Sequence, residues 1–238
     1  MFDVKLIFTQ IPNVLKYLPI TMEIALVSFA GSLLIGFLVA IVEIRKVKIV
    51  SQIARFYVAF TRGTPVLVQL YLTYYGLPMI LTAINHAYGT TFNVNGIAPI
   101  VFALIALSLN EAAYSSESIR AAIESVDKGQ MEAALSIGMT TPQSLRRIIL
   151  PEALVVALPS LGNSLIGLIK GTSLVFVTAV VEMTAAGRLL ASRNFRYFEM
   201  YLTLAIIYFL VTSILSRFLR WAEKRLRCNE REAPHVAG

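Results

Sequence analysis

Charged residues and cysteine are scarce in this chain. Of its 238 residues, 15% are Asp, Glu, Lys or Arg, whereas 57% are hydrophobic. Soluble domains carry about 25% charged and roughly 45–50% apolar residues, so this composition excludes an ordinary water-soluble domain. The single cysteine, Cys228, excludes a disulfide framework and a cysteine-based metal cluster. The sequence predicts neither a metal ion nor a cofactor.

Acidic residues are fewer than basic ones, with 14 Asp and Glu against 21 Lys and Arg and a net charge of +7. The basic residues are clustered between apolar runs and do not form one basic face, so nucleic acid is not a predicted partner. The N-terminus also lacks the pattern of a cleaved signal peptide, because polar residues such as Asp3, Lys5 and Asn13 are spread through it. We expect the first apolar segment to be retained.

Long apolar runs are what the sequence does contain. A helix of about 20 mostly apolar residues spans a bilayer, and five stretches reach or approach that length. They are Ile20 to Val42, Pro65 to Leu81, a third that starts near Ile97, Leu154 to Val181, and Tyr201 to Leu215. The predicted fold class is all-α, a polytopic membrane protein with about five transmembrane helices. Residues 1–238 are expected to form one transmembrane domain with its core at about 20–220.

Cap and turn residues predict where several helices end. Thr64 followed by Pro65 suits the N-cap and the first position of span two, and Asn85 to Gly96 is predicted to be a loop. Lys170 to Ser173 interrupts the fourth apolar stretch. We interpret that stretch as one broken span, because six crossings would place the basic tail on the side that is poor in basic residues.

The positions of basic residues predict the orientation, since loops rich in Lys and Arg remain cytoplasmic. With five spans, one side holds fourteen Lys or Arg in the loop after span one, the connection between spans three and four, and the tail at 217–238. The other side holds five, of which Arg188, Arg193 and Arg196 form an external group. The N-terminus is therefore predicted outside and the C-terminus in the cytoplasm. The three external arginines suit either a solvated loop or contact with an acidic partner surface.

The connection at about 125–151 is predicted to be a cytoplasmic hairpin of two short helices. Gly138 suits the left-handed position that ends a helix, and Thr141 with Pro142 gives the start signal of the second helix.

The first of these helices carries a compact apolar knob. Small Ala133 and Ala134 are flanked by Met131 and Leu135, so a partner groove can accept this surface without desolvating a charge. The alternative is an ordinary amphipathic hairpin at the membrane interface.

The same segment resembles the signature loop of permeases of binding-protein-dependent ABC importers. The matching residues are Glu132, Ala133, Ala134, Gly138, Ile148, Leu150 and Pro151. Further matches indicate the polar amino-acid uptake branch: Arg62 to Pro65, Ala113 and Tyr114 with Glu117 and Arg120, Gly129 and Gln130, and Lys170 to Leu174. The chain departs from that branch at Ala121, where glycine is usual, and at Gly171, where an acidic residue is frequent.

The resemblance implies a type I ABC importer permease fold in a bacterial cytoplasmic (inner) membrane. It implies that Glu132 to Gly138, preceded by Gln130, forms the coupling helix that docks on a cytoplasmic ABC ATPase. An external substrate-binding protein, a second identical or homologous permease, membrane lipid and an amino-acid substrate are the other implied partners. The chain itself is expected not to be an enzyme, since ATP is hydrolysed in the separate subunit.

Polar residues within the apolar runs are candidates for the substrate pathway. Asn110, Tyr114 and Glu117 share one helical face with Ser118, and Glu111 lies beside them. A charge at mid-bilayer costs at least about 2.5–3.5 kcal/mol, so both glutamates require partners or water. Glu117 is expected to pair with Arg120, one turn away. A polar clamp between subunits is the alternative role for Asn110, Glu111 and Glu117, and the favoured one for Glu117.

The interruption of span four gives two further candidates for the pathway. Broken helices at membrane depth bind substrate in many transporters, so Lys170 and the amides near Thr172 are candidates for contact with an amino-acid carboxylate. A kink that serves packing alone is the alternative.

Two other functional classes are compatible with a chain of this composition. An ion-gradient-driven secondary transporter would be expected to show an internal inverted repeat, and no convincing repeat is found between the halves. A structural membrane subunit would not require an exposed docking knob.

Overall fold

The computed structural model describes residues 2–231, apart from the side chains of Asn194 and of residues 226–231. Cys228 and the last part of the predicted basic tail therefore lie outside the described side chains. The described residues form helices and no strand. The α-helices are α1 (Val4–Leu15), α2 (Leu18–Ile44), α3 (Lys48–Gly63), α4 (Val66–Tyr88), α5 (Pro99–Ser125), α6 (Lys128–Ser136), α7 (Thr141–Ser144), α8 (Leu150–Gly171), α9 (Met183–Asn194) and α10 (Tyr197–Arg231).

Five helical segments are long and apolar enough to cross a membrane, which confirms the predicted number of spans. They are Leu18–Ile44, Val66–Tyr88, Pro99–Ser125, Thr141–Thr178 and Tyr197–Arg225. Consecutive spans run in alternating directions. Helices α3, α6 and α7 and the C-terminal part of α10 consequently share one end of the bundle, which we call the basic end. Helices α1 and α9 and the connection from α4 to α5 lie at the opposite end.

Helix α5 is the central element, and it packs closely against α2. Gly31 and Gly36 of α2 leave so little space that an added Cβ would lie 2.8 Å from Ser108 Oγ and 3.0 Å from Ser115 Cβ, respectively. Small residues permit such an approach, which is how helices associate inside a membrane without a hydrophobic driving force. A shared core of α2, α4, α5 and α8 surrounds this contact, and its buried members include Ile24, Leu70, Ala103, Ala106, Leu107 and Leu168.

A second core at the opposite end joins α1, α9 and α10. Its buried residues are Val14, Met183, Ala191, Met200, Leu204 and Ile207. The Asp3 side chain accepts a hydrogen bond from the Leu6 amide and caps α1, while Thr203 Oγ1 of α10 donates to the Ile7 carbonyl at 3.1 Å. The sequence did not predict α1, because its twelve residues are too few to span a bilayer.

The fourth span is interrupted where the sequence predicts, but the interruption is a change of helix type. The α-helix ends at Gly171 and continues as a 3₁₀ helix over Thr172–Thr178, which Ala179 ends in the left-handed conformation at φ 61°. Hydroxyls within this turn bond locally, since Thr172 donates to the Ile169 carbonyl and Thr178 to the Val175 carbonyl. The chain therefore remains helical where an unwound loop would expose its backbone groups.

Two helix starts lie one residue away from their predicted positions. Thr64 is the C-cap of α3, where its hydroxyl donates to the Phe60 carbonyl at 2.9 Å, and Pro65 occupies the N-cap position of α4. In the second case Thr140, not Thr141, caps α7 through a capping box with Gln143. The cap at Thr140 is selected by its hydrogen bonds with Gln143, whereas Pro65 makes no side-chain cap bond.

The predicted loop at 85–96 is shorter than expected, because α4 continues to Tyr88 before Gly89 ends it at φ 65°. The Asn85 side chain then holds the connection by bonding both the amide and the carbonyl of Phe92.

The predicted hairpin at the basic end differs in its second arm. Gly138 ends the turn after α6 at φ 85°, as predicted. Helix α7, however, does not remain separate. It passes through a π-helical turn at Leu145–Ile149 directly into α8.

Candidate functional site

A cavity of about 670 Å³ with polar groups in an otherwise apolar lining lies between the start of α4, α5 and α8. Side chains from α5 and α8 supply most of its polar groups, while Gly167 and Gly171 leave room on the α8 wall. The polar lining residues are Arg62, Thr64, Asn110, Glu111, Tyr114, Glu117, Ser118, Ser160, Asn163 and Ser164. The structure thus brings together four of the six predicted pathway residues.

Lys170 and Thr172 do not line this cavity. The Lys170 side chain is exposed on the bundle, and Thr172 is completely buried with its hydroxyl bonded to the Ile169 carbonyl. The break in span four therefore contributes Gly171 to the cavity wall, but not the lysine that was predicted there.

Glu111 is a buried carboxylate beside the cavity. Its exposed fraction is 9%, and its Oε1 has no hydrogen-bond partner among the residues that the structure describes. The side chain of Ser164 contacts the carboxylate from α8. A buried carboxylate with one oxygen that lacks a hydrogen bond is expensive in a membrane, so residues of this kind mark binding sites or ion pathways.

Asn110 is held by a residue that sequence analysis did not select. Its Nδ2 donates to Gln69 Oε1 at 3.0 Å, and Gln69 Nε2 donates in turn to the Thr61 carbonyl and Thr64 Oγ1, each at 2.8 Å. This chain of hydrogen bonds joins α5 to the junction between α3 and α4. An amide within the apolar run of span two was a signal that could have identified Gln69.

A second cavity, of about 870 Å³, lies at the basic end and is lined by charged residues: Glu43, Lys46, Arg55, Arg62, Glu117, Arg120 and Glu124. Arg120 organises it. Its guanidinium lies 2.6 Å from Glu117, 3.1 Å from Glu124 and 3.3 Å from Glu43. The predicted pair of Glu117 and Arg120 is confirmed, and Glu43 extends it into a clamp between α2 and α5 within one chain.

Arg62 and Tyr114 lie between the two cavities. Both residues line both cavities, as Glu117 does. The Arg62 guanidinium is 5.4 Å from the centroid of the Tyr114 ring, a distance that allows a cation–π contact.

The predicted coupling segment has a different exposed surface from the one expected. Ala134 is only 2% exposed, and Met131 packs with Ala122, Val126 and Ile149 beneath it. The predicted knob is therefore wrong for Met131 and Ala134, because this face of α6 covers the bundle. The exposed residues of the segment are Gln130, Glu132, Ala133, Leu135, Ser136, Ile137 and Gly138.

The second half of the matched segment lies in the π-helical turn and at the start of α8. Ile148 and Leu150 are half-buried there, and Pro151 is exposed in the first turn of α8. Because α7 and the π-helical turn run directly into α8, Pro151 lies within a continuous helix and removes one backbone donor at the point where the helix type changes. These residues set the entry into the fourth span, whereas the exposed surface comes from α6 and the turn after it.

A five-span helical bundle with an internal polar cavity and an exposed helical hairpin defines a membrane transport subunit. The chain belongs to the family described as binding-protein-dependent transport system inner membrane component, whose profile matches residues 32–227. This confirms the resemblance to importer permeases and identifies a multi-pass inner-membrane protein.

Curated relatives cover nearly the whole chain. A probable amino-acid ABC transporter permease of Vibrio harveyi is 46% identical, with 94% of this chain and 96% of the relative covered. An L-cystine transport permease of Bacillus subtilis is 38% identical, with 96% and 93% covered. A glutamine transport permease of Escherichia coli is 34% identical, with 95% and 98% covered. Since these relatives are permease subunits, the chain is not itself an enzyme.

Solved structures show the same fold. An amino acid ABC transporter determined with histidines superimposes with a TM-score of 0.79 at 32% identity, covering 94% of this chain and 99% of the other. An inward-facing methionine ABC transporter gives a TM-score of 0.69 at 17% identity, covering 90% and 95%. The type I importer permease fold is confirmed. The two alternatives, a secondary transporter and a structural subunit, are set aside.

Proposed function

We propose that this permease carries amino acids across the membrane and that its central cavity contacts the substrate during passage. The observation that carries the proposal is the unpaired Oε1 of Glu111, buried beside a cavity of about 670 Å³. Amino-acid transport in the relatives supports the substrate class.

The charges of the cavity match a zwitterion. Glu111 can accept hydrogen bonds from an α-ammonium group, and Arg62 offers a guanidinium to the α-carboxylate. Glu117, the other charged lining residue, is already bonded to Arg120. Asn110 is oriented by Gln69 and supplies a neutral polar contact.

Arg62 takes the role that sequence analysis gave to Lys170 and the amides near Thr172. It lines both the central cavity and the charged cavity at the basic end, as Tyr114 and Glu117 also do. A substrate bound between Glu111 and Arg62 would thus lie next to the exit toward that end.

The basic end faces the cytoplasm in this proposal, and α1 and α9 face outward. The excess of Lys and Arg at the basic end supports that orientation. The surface that meets the ATPase subunit is formed by Gln130, Glu132, Ala133 and Gly138, together with the exposed residues Leu135 and Ile137. Ile148, Leu150 and Pro151 support this surface from the entry into α8.

The remaining partners are assigned by position. A second permease subunit, identical or homologous, completes the pathway, and an external binding protein delivers substrate to the end that carries α9. Arg188 there stacks on Phe176 at 4.1 Å, so part of the external charge is held in place on the bundle.

Glu111→Gln tests the substrate contact. It keeps the size of the side chain and removes the charge, so we expect uptake into proteoliposomes to fall about tenfold or more, since hydrogen bonds to charged groups contribute roughly 1.5–3 kcal/mol. Glu152→Gln is the matched control, because Glu152 lies in the first turn of α8 and lines neither cavity. Undiminished amino-acid uptake by a fully assembled Glu111→Gln transporter would overturn the assignment.

A further inference from the structure

A third cavity, of about 540 Å³, lies between α8 and α10 near the basic end. Its inner wall is apolar and its outer wall is polar and charged. The lining residues are Leu158, Pro159, Gly162, Asn163, Ile166, Ser213, Ser216, Arg217, Leu219, Arg220 and Glu223. Neither the substrate pathway nor the coupling surface uses this cavity, and only Asn163 also lines the central one.

Positive charge predominates at its mouth. Arg217 and Arg220 are exposed and line the cavity, while Arg220 Nε donates to the Ser216 carbonyl at 3.3 Å. One carboxylate, Glu223, also lines it. Between residues 217 and 225, four cations stand against this single acid, so the region attracts anions.

The position of the cavity along α10 corresponds to the level of lipid headgroups. The outward side of α10 exposes Phe209, Leu210 and Ile214, and the helix then presents Phe218 and Trp221, which are 58% and 55% exposed. Aromatic residues of this kind mark the membrane–water interface. The charged mouth of the cavity is thus at the interface, and its apolar wall lies on the acyl-chain side.

We propose that this cavity binds one anionic phospholipid from the leaflet at the basic end. Its phosphate accepts hydrogen bonds from Arg217 and Arg220, and Ser213 offers a hydroxyl beside them. Its acyl chain follows Leu158 and Ile166. Basic pockets between transmembrane helices bind anionic headgroups in this manner. The proposal goes beyond the transport function and does not depend on which substrate is carried.

Native mass spectrometry of the complete detergent-purified transporter tests the site, with phosphatidylglycerol and phosphatidylethanolamine added as probes. The variant Arg217→Gln with Arg220→Gln should bind phosphatidylglycerol roughly 10- to 30-fold more weakly, since each basic residue near the surface contributes about 1 kcal/mol. Lys224→Gln with Arg225→Gln is the matched control. It removes the same charge one turn further along α10, outside the cavity lining.

A second variant separates cavity shape from charge. Ser213→Phe fills the space and keeps every cation, so it should also lose the retained phosphatidylglycerol. The site is refuted if the control pair loses as much phosphatidylglycerol as the cavity pair, which would indicate diffuse attraction, or if Ser213→Phe retains the lipid. Equal retention of both probes by the natural chain would also refute it.

Discussion

At the scale of single residues, the most constrained carboxylate outside the spans is Glu182. It is completely buried, caps α9 by accepting bonds from the amides of Thr184 and Ala185, and accepts a third bond from the Tyr208 hydroxyl. Three donors compensate for the lost hydration of the carboxylate. Burial nevertheless raises the pKa of Glu182 above its ordinary value of 4.5.

This shift predicts a pH dependence of stability. Because the folded pKa of Glu182 is raised, the folded chain binds its proton more tightly than the unfolded chain, and stability falls as the pH rises upward from about 4.5 through the folded pKa. We expect Glu182→Gln to flatten the melting temperature against pH in that window. Glu182→Ala should cost about 1–3 kcal/mol by leaving the cap donors without an acceptor.

Thermal unfolding of the purified transporter across that pH range measures both effects. Glu152→Gln, which removes the half-exposed carboxylate of Glu152, is the matched control variant. If Glu182→Gln keeps the slope of the natural chain, the buried carboxylate does not cause it.

At this scale the sequence predicted which polar residues are important, but not all of the contacts that these residues make. Polar side chains are costly within an apolar transmembrane helix, so they are rarely present without a function. This criterion identified Asn110, Glu111 and Tyr114. Gln69 satisfies the same criterion but lay outside the matched motifs. The prediction that Thr172 lies on the substrate pathway was wrong, because the change from α to 3₁₀ helix alters the direction in which a side chain faces. No sequence motif indicates that change.

At the scale of elements, the contact of α2 with α5 depends on small residues. A Cβ added at Gly36 would lie 3.0 Å from Ser115 Cβ and 3.1 Å from the Ala112 carbonyl oxygen, and backbone cannot move away cheaply. We expect Gly36→Ala to destabilise the transporter by about 1–3 kcal/mol, the usual cost of overpacking. The melting temperature should fall accordingly.

Gly76→Ala provides the control for this prediction. A Cβ at Gly76 meets nothing within 4 Å, and alanine is the better helix former, so the substitution should be neutral or slightly stabilising. Equal melting temperatures for Gly36→Ala and Gly76→Ala would mean that α2 and α5 are not closely packed in the assembled transporter.

The elements themselves were predictable to different degrees. The five spans follow from run length and composition, because each must remove about 20 residues from water. Helices α1 and α3 were not predicted, since short amphipathic helices at an interface have no such length requirement. The fusion of α7 with α8 was missed because Thr140 and Pro142 signal a helix start equally well for an isolated helix and for an extension of a span.

At the scale of the whole molecule, the central cavity and the charged cavity share Arg62, Tyr114 and Glu117 in their walls. The clamp of Arg120 with Glu43 holds α2 to α5 at the same level. The proposed ATPase surface is supported by the bundle, because α6 packs through Met131 on the core that contains Ala122 of α5 and Ile149 at the entry to α8. We expect movement of α6 to reach α5 and α8, which line the central cavity, as coupling between distant sites requires.

The exposed side chains of this surface predict the effect of one substitution on assembly. Ile137 is 78% exposed at the tip of the turn after α6. Ile137→Asp therefore leaves the fold of the permease unchanged, but it places a charge in the proposed contact with the ATPase. Burying an unpaired charge in an interface is costly, so co-purification of the ATPase with the permease and substrate-stimulated ATP hydrolysis should both fall sharply. Ile137→Val, which keeps the surface apolar, should preserve both. If Ile137→Asp retains a fully stimulated ATPase, the docking surface lies elsewhere at the basic end, and the packing of Met131 would then have only a structural role.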